Sequence, residues 1–266
     1  MKILLISPIV YAYTPATRYA GIEKLVYQFA CELVKEHDVS VMCHTESVFP
    51  NNIQRLPIYP EGNAFSLAEL RHYQAYQYRL REFDVIHDFS HSHLASRYNI
   101  NLPTVNPFWH SPFLNKYPKA PYNIIAPSEW AKRAFRQVYN QQARYMPCIV
   151  IDTDVYKPAG ERGDRFLTLG IMTPDKGNLA AAMLCKELGL PLDIVGGRGI
   201  ENKELSDYEK GIQAISDGKQ IKFWGEVSDD TKIGLLQSCK ALIYTMGAGY
   251  QEVTSHKVQE ALLCCA

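Results

Sequence analysis

At 266 residues the chain is long enough for two domains of ordinary size, and 47% hydrophobic with 21% charged residues is the make-up of a globular protein rather than a disordered one. The 28 basic and 28 acidic residues cancel, so the charge balance singles out neither nucleic acid nor an anionic membrane as a partner. Seven scattered cysteines without a Cys-x-x-Cys pair argue against a disulfide or zinc framework and for a reducing, cytoplasmic setting. The apolar start, residues 1–8, is too short for a signal sequence, and no run approaches transmembrane length.

In chain order, Lys2–Ser7 is a continuous apolar run, the pattern of a strand buried on both faces. A polar loop, Tyr11–Ala20, leads to a predicted helix over Gly21–Glu36, with apolar residues at 22, 25, 26, 29, 30, 33 and 34. Val39–Cys43 reads as a strand, Phe65–Arg81 as a Tyr- and Arg-rich helix, and Val85–His87, Thr104–Asn106 and Asn123–Ala126 as short strands. Ser128 is placed to cap a helix running to Tyr139. Lys157–Gly163 has linker composition. A second series follows: strand Phe166–Leu169, helix Asn178–Leu188, strand Leu192–Val195, helix Tyr208–Ile215, strand Ile221–Trp224, helix Thr231–Cys239, strand Ala241–Tyr244 and a final helix. Strands alternating with helices predict parallel sheets. Two such series predict two Rossmann-like domains, residues 1–158 and 159–266. Open parallel sheets take ligands beyond the carboxyl ends of their strands, which points to a cleft between the domains.

The final helix carries the most specific signal. Glu252 and Glu260 stand eight residues apart in Glu252-Val-Thr-Ser-His-Lys-Val-Gln-Glu260. Thr254 and Ser255 read as its N-cap, leaving Glu252 on the entry loop and Glu260 one turn inside. A helix start has free amides and a positive dipole end suited to phosphate. Gly21 lets backbone approach a diphosphate closely. Lys176, beside Gly177 at a helix start, can place a point charge on that group.

Six motifs, in order, resemble the retaining glycosyltransferases of the GT-B fold, family-four type. They are Ala20-Gly21-Ile22-Glu23, Asp84-Val-Ile-His87, Ile124-Ile-Ala-Pro-Ser128-Glu, Asp152-Thr-Asp-Val-Tyr-Lys-Pro158, the stretch Gly170 to Lys176-Gly177, and Phe223-Trp-Gly-Glu-Val227 with Lys232. The paired carboxylates Glu252 and Glu260 complete the set. The resemblance implies an α/β, GT-B architecture with parallel sheets facing across a cleft. It also implies metal-independent sugar transfer from a UDP-, GDP- or ADP-sugar to a sugar, lipid or small-molecule acceptor. By that resemblance Gly21, Gly170, Lys176 and Lys232 serve the diphosphate, and the Ser255, His256 and Lys257 amides cap a phosphate. Val227 offers backbone to the base, Glu260 takes the ribose hydroxyls, Glu252 contacts the transferred sugar, and His110 faces it from the first domain.

The chain departs from that family at several points. Ile171 stands where an Arg is usual, leaving Lys176 and Arg198 to neutralise the diphosphate; Ala20 replaces a glycine, and Thr254-Ser255 replaces Phe-Gly. The family continues past Ala266 with elements that complete the second sheet, so that domain is expected to be incomplete, with an open edge or apolar face that invites a homodimer.

The same residues admit other readings. His87, His91 and His93 would share a side of an extended segment, but they lack the cysteine or spaced carboxylate of a metal site. The helix with Arg71, Tyr73, Tyr76, Tyr78, Arg79 and Arg81 is either an ordinary amphipathic element or a face for an anionic acceptor or peripheral membrane contact. A same-fold sugar-nucleotide epimerase or phosphorylase, and a non-catalytic nucleotide-sugar or glycan binder, are the alternative functions. A dinucleotide dehydrogenase is disfavoured because no Gly-x-Gly-x-x-Gly follows the first strand.

Overall fold

The computed structural model describes residues 1–9, 11–14, 20–58, 65–99, 101–109, 119–147, 151–197, 207–248 and 252–266. The chain divides into two compact units, Met1–Val150 with Glu252–Thr254, and Ile151–Gln251 with Ser255–Ala266.

The first unit contains β1 (Lys2–Ile6), α1 (Gly21–Leu33), β2 (Asp38–His44), β3 (Gln54–Ile58), α2 (Phe65–Tyr76), β4 (Val85–Asp88), α3 (Leu94–Tyr98), β5 (Thr104–Pro107), β6 (Ile124–Ala126), α4 (Glu129–Tyr139) and β7 (Arg144–Tyr145). Its sheet runs β3-β2-β1-β4-β5-β6-β7 with parallel pairs. The order reverses between β1 and β4, a topological switch point where such sheets open a ligand crevice.

The alternation of β1 builds two cores. Ile3 and Leu5 point to one face and pack with Leu25, Val26 and Ala30 of α1. Leu4 and Ile6 point to the other and pack with Leu80, Ile86 and Ala95. This two-sided burial is why the strand reads as an unbroken apolar run. In α4, the Ser128 hydroxyl accepts from the Ala131 amide at 3.1 Å, the cap expected there.

Several elements of this unit differ from the sequence expectation, the two-residue strand β7 among them. β3 carries no strand signal in the sequence, because Gln54, Arg55 and Pro57 break its apolar pattern; it is an edge strand, where a proline is tolerated. The helix expected to reach Arg81 is α-helical only to Tyr76 and tightens to a 3-10 helix over Gln77–Glu82. The histidine segment is not extended: His93 has a φ of 46° and turns the chain into α3, so the shared side expected for His87, His91 and His93 does not form.

The second unit contains β8 (Phe166–Leu169), α5 (Asn178–Glu187), β9 (Leu192–Val195), α6 (Asp207–Ile215), β10 (Ile221–Gly225), α7 (Asp229–Ser238) and α8 (His256–Leu263). The sheet order is β10-β9-β8, all parallel. Leu192, Ile194 and Ile221 pack with α5 and α6 on one face, and Leu167, Leu169 and Val195 pack with Leu236, Ala261 and Cys264 on the other. The strand expected over Ala241–Tyr244 reduces to one parallel bridge, Leu242 to Leu167. The reason lies just beyond it. The Thr245 hydroxyl donates to the Gly177 carbonyl at 2.9 Å and the Gly247 amide to the Asp175 carbonyl at 2.9 Å, so the chain leaves the ladder to brace the loop after β8.

Candidate functional site

The second unit gathers glycines where its strands end. Gly170 follows β8 with φ 152°, Gly196 follows β9 with φ 153°, and Gly177 precedes α5 with φ 68°. A Cβ on Gly196 would strike the Gly170 carbonyl, and one on Gly177 would come within 2.9 Å of Thr245. These are positions only glycine fills without displacement. Between them Pro174–Lys176 forms one 3-10 turn, and Lys176 lies directly before the left-handed Gly177. A Cβ added at Gly170 would meet the Lys257 ammonium at 3.2 Å and the Lys176 Cβ and Cγ at 3.6 and 3.7 Å. Gly170, Lys176 and Lys257 are therefore neighbours at the carboxyl end of β8.

Lys257 enters this place through its side chain. Its ammonium donates to the Leu169 carbonyl at 2.6 Å and lies 4.7 Å from the centroid of the Tyr244 ring. The sequence reading pointed only to its backbone amide. Ser255 and His256 stand beside it at the start of α8. Ser255 occupies the N-cap position, but its side chain makes no capping hydrogen bond, contrary to the expected capping role for Thr254 and Ser255.

Lys232 and Glu260 meet as a pair, Nζ to Oε1 at 3.0 Å, with side chains 22% and 15% exposed. Lys232 also lies 5.1 Å from the Tyr156 ring centroid. Burial opposes the lysine's charge, but the Glu260 carboxylate and the Tyr156 hydroxyl outweigh it and hold the ammonium above its ordinary range. Burial likewise pushes the Tyr156 hydroxyl up to about 12. Tyr156 was visible only as part of the Asp152–Pro158 motif, with no role attached. Val227 is half-buried and packs against the cluster that includes Leu167, Leu236 and Ala261, on the loop that leads to Ser228 and α7.

Glu252 belongs to the first unit and Glu260 to the second. The neighbour of Glu252, Val253, is 5% exposed and packs with Phe108, Ile124 and Phe135, which ties this short segment to the first unit's core. His110 and Arg198 lie outside the described residues.

In the first unit Gly21 opens α1, and Ala20 before it provides no side-chain cap. Two turns of sequence that carried no role become prominent. Glu23 is 5% exposed, and burial raises its carboxyl to about 7. Asp88, at the end of β4, is fully buried, and burial raises it too to about 7. Its Oδ1 accepts from the Ser90 amide and hydroxyl at 3.0 and 2.6 Å, while its Oδ2 has no hydrogen-bond partner. Glu69 of α2 accepts the amides of His91 and Ser92, each at 2.8 Å, and so fixes the turn after β4. A cavity of about 20 Å³ is lined by Ile6, Glu69, His72, Tyr73, Asp88 and Ser90; that is room for little more than a water. The His87 ring lies tilted against Phe89 at 4.1 Å and meets Phe29 edge-on at 5.4 Å, and burial lowers it to about 4, so it packs as an aromatic residue. Among the described residues no group of three or more His, Cys, Asp or Glu is arranged to hold a metal ion.

No family model and no curated protein matches the sequence. Solved structures do match the fold over nearly the whole chain. AviGT4, a glycosyltransferase of avilamycin A biosynthesis, superposes with a TM-score of 0.69 at 19% identity, over 99% of this chain and 76% of that one. The sucrose-phosphate synthase of Thermosynechococcus elongatus gives a TM-score of 0.73 at 14% identity, over 99% and 79%. The Anabaena protein HepE, crystallised with UDP and glucose, gives 0.70 at 16% identity, over 99% and 78%. Together with the parallel sheets of both units, these matches establish the α/β, GT-B fold expected from the sequence.

Proposed function

We propose that the chain is a glycosyltransferase that moves a sugar from a nucleoside-diphosphate sugar to an acceptor, with retention of the anomeric configuration. The observation that carries this reading is the glycine turn at the carboxyl end of β8, with Lys176 beside Gly170. Closely approaching backbone and fixed positive charge are what a diphosphate leaving group requires. The fold shared with glycosyltransferases, and the UDP and glucose held by HepE, support the same class of donor.

In this reading Gly21, Gly170 and Lys176 face the diphosphate, and the amides of Ser255, His256 and Lys257 add donors at the start of α8. Glu260 accepts from the ribose hydroxyls, with Lys232 steadying its carboxylate. Val227 gives backbone to the base. Glu252 and His110 contact the transferred sugar. Charge stabilisation of the departing nucleotide does most of the catalysis, because it acts on the charge that grows in the transition state. The lysines supply that charge, so the reaction runs without a divalent metal or other cofactor. The acceptor is a sugar, a lipid or a small molecule. The scattered cysteines, free wherever they are described, suit a cytoplasmic enzyme.

A thermal-shift screen in EDTA against UDP-, GDP- and ADP-sugars tests the donor reading, since a ligand that binds only the native state raises its melting temperature. One donor series is expected to stabilise the chain. No shift with any of them, or a shift that needs a divalent ion, would contradict it.

A further inference from the structure

The turn from Gly170 to Gly177 carries one acid, Asp175, and one base, Lys176, and is therefore electrically neutral. A diphosphate brings about two or more negative charges at neutral pH. The charge that balances it has to come from another element. Lys232 stands on α7, paired with Glu260 at 3.0 Å and 3.7 Å from Asp229. Lys257 is the lysine that the fold brings to Gly170, 3.2 Å from where a Cβ there would stand.

Its placement is built into the fold. The Leu169 carbonyl accepts one of its hydrogens at 2.6 Å, and the Tyr244 ring flanks it at 4.7 Å. An ammonium has three hydrogens to donate. Anchoring one of them to the last residue of β8 holds the charge at the end of the strand before a ligand arrives, which lowers the ordering cost of binding. The stem of Lys176 approaches the same glycine at 3.6 Å, so the two lysines converge from separate elements.

We infer that the Lys257 side chain is a diphosphate ligand, acting with Lys176 to hold the pyrophosphate of the donor. This rests on the donor reading above and adds a binding role for a side chain delivered by α8. It makes affinity depend on the phosphates and not on the nucleoside.

The test is calorimetric titration with UDP, GDP and ADP, and with the nucleoside of whichever one the wild-type chain binds. Lys257→Gln removes the charge and keeps an N–H donor on a side chain one atom shorter. It is expected to weaken the diphosphate about tenfold, to flatten its salt dependence, and to leave the nucleoside unchanged. Lys257→Arg is expected to stay within about threefold of wild type. A second measurement needs no variant. The bound nucleoside diphosphate should protect Lys257 from acetylation by a small reagent, read by mass spectrometry, and the nucleoside should not. Unchanged diphosphate affinity in Lys257→Gln, equal weakening of nucleoside and diphosphate, or equal labelling with and without diphosphate each overturns the inference and leaves the donor reading standing. A wild-type chain that binds none of the three diphosphates overturns the donor reading and the inference with it.

Discussion

The Lys232 ammonium lies 3.0 Å from the Glu260 carboxylate, joining α7 to α8 across 28 residues of sequence. The pair is largely buried and backed by Tyr156. It fixes the rotamer of the carboxylate proposed to hold ribose, and α8 is only eight residues long, too short to be well ordered without such packing.

Removing one partner strands the other in a poorly hydrated place. Glu260→Ala is expected to lower stability by about 2 kcal/mol in urea unfolding. Adding Lys232→Met to it should cost less than the two single changes summed, because the stranded charge is gone. Simple additivity would mean that the ion pair carries no coupling.

The two carboxylates of the Glu252–Glu260 stretch should separate in function as they do between the units. Glu260→Ala is expected to weaken nucleoside diphosphate about tenfold. Glu252→Ala should leave that affinity within about twofold and lower turnover instead. Calorimetry paired with steady-state kinetics distinguishes them, and equal losses of affinity would contradict the division.

Much of this arrangement was legible in the sequence, for reasons that can be named. β1 and α1 announced themselves because burial on two faces, or on one stripe, imposes a periodicity. Lys176 and Gly177 stood out as a lysine and a glycine at a helix start, and Gly177 takes the left-handed backbone that glycine allows. What escaped depends on groups distant in sequence. β3 shows no alternation because it packs at an edge. Nothing in the composition of 241–244 says that Thr245 will leave the sheet to meet Gly177. Tyr156, Glu69 and Asp88 are ordinary residues until the fold buries them. The ammonium of Lys257 reaches Leu169 across 88 residues, a contact no local pattern records.

Gly177 offers a test of the turn itself. An alanine there would be held at φ 68° with its Cβ 2.9 Å from Thr245, whereas Gly160 has the same φ of 68° with open space around it. Gly160→Ala is expected to cost about 1 kcal/mol, from the left-handed backbone alone. Gly177→Ala should cost about 2–3 kcal/mol and weaken nucleotide binding as the turn shifts. Equal costs in denaturant unfolding would mean that the Thr245 contact yields freely.

Asp88 predicts a pH dependence. Burial raises its folded carboxyl to about 7, above its ordinary value, so the folded state binds the proton more tightly than the unfolded one. Its favourable contribution is complete below the unfolded pKa near 4 and is lost as pH rises through about 7. Asp88→Asn keeps an oxygen for Ser90 and has no proton to lose. The stability difference between variant and wild type should move in the variant's favour by about 2–4 kcal/mol between pH 4 and 8. Parallel curves would show that Asp88 does not change charge in that range.

The most direct test of the whole reading is proton NMR of the fresh product formed from the stabilising nucleotide-sugar in EDTA, with the sugar passed to a simple glycoside or to water. An α-linked donor should give a product whose first-formed anomeric signal is α, without added metal, and Lys176→Ala should slow its appearance at least tenfold. A β product, or turnover that appears only with a divalent ion, would contradict retaining, lysine-assisted transfer.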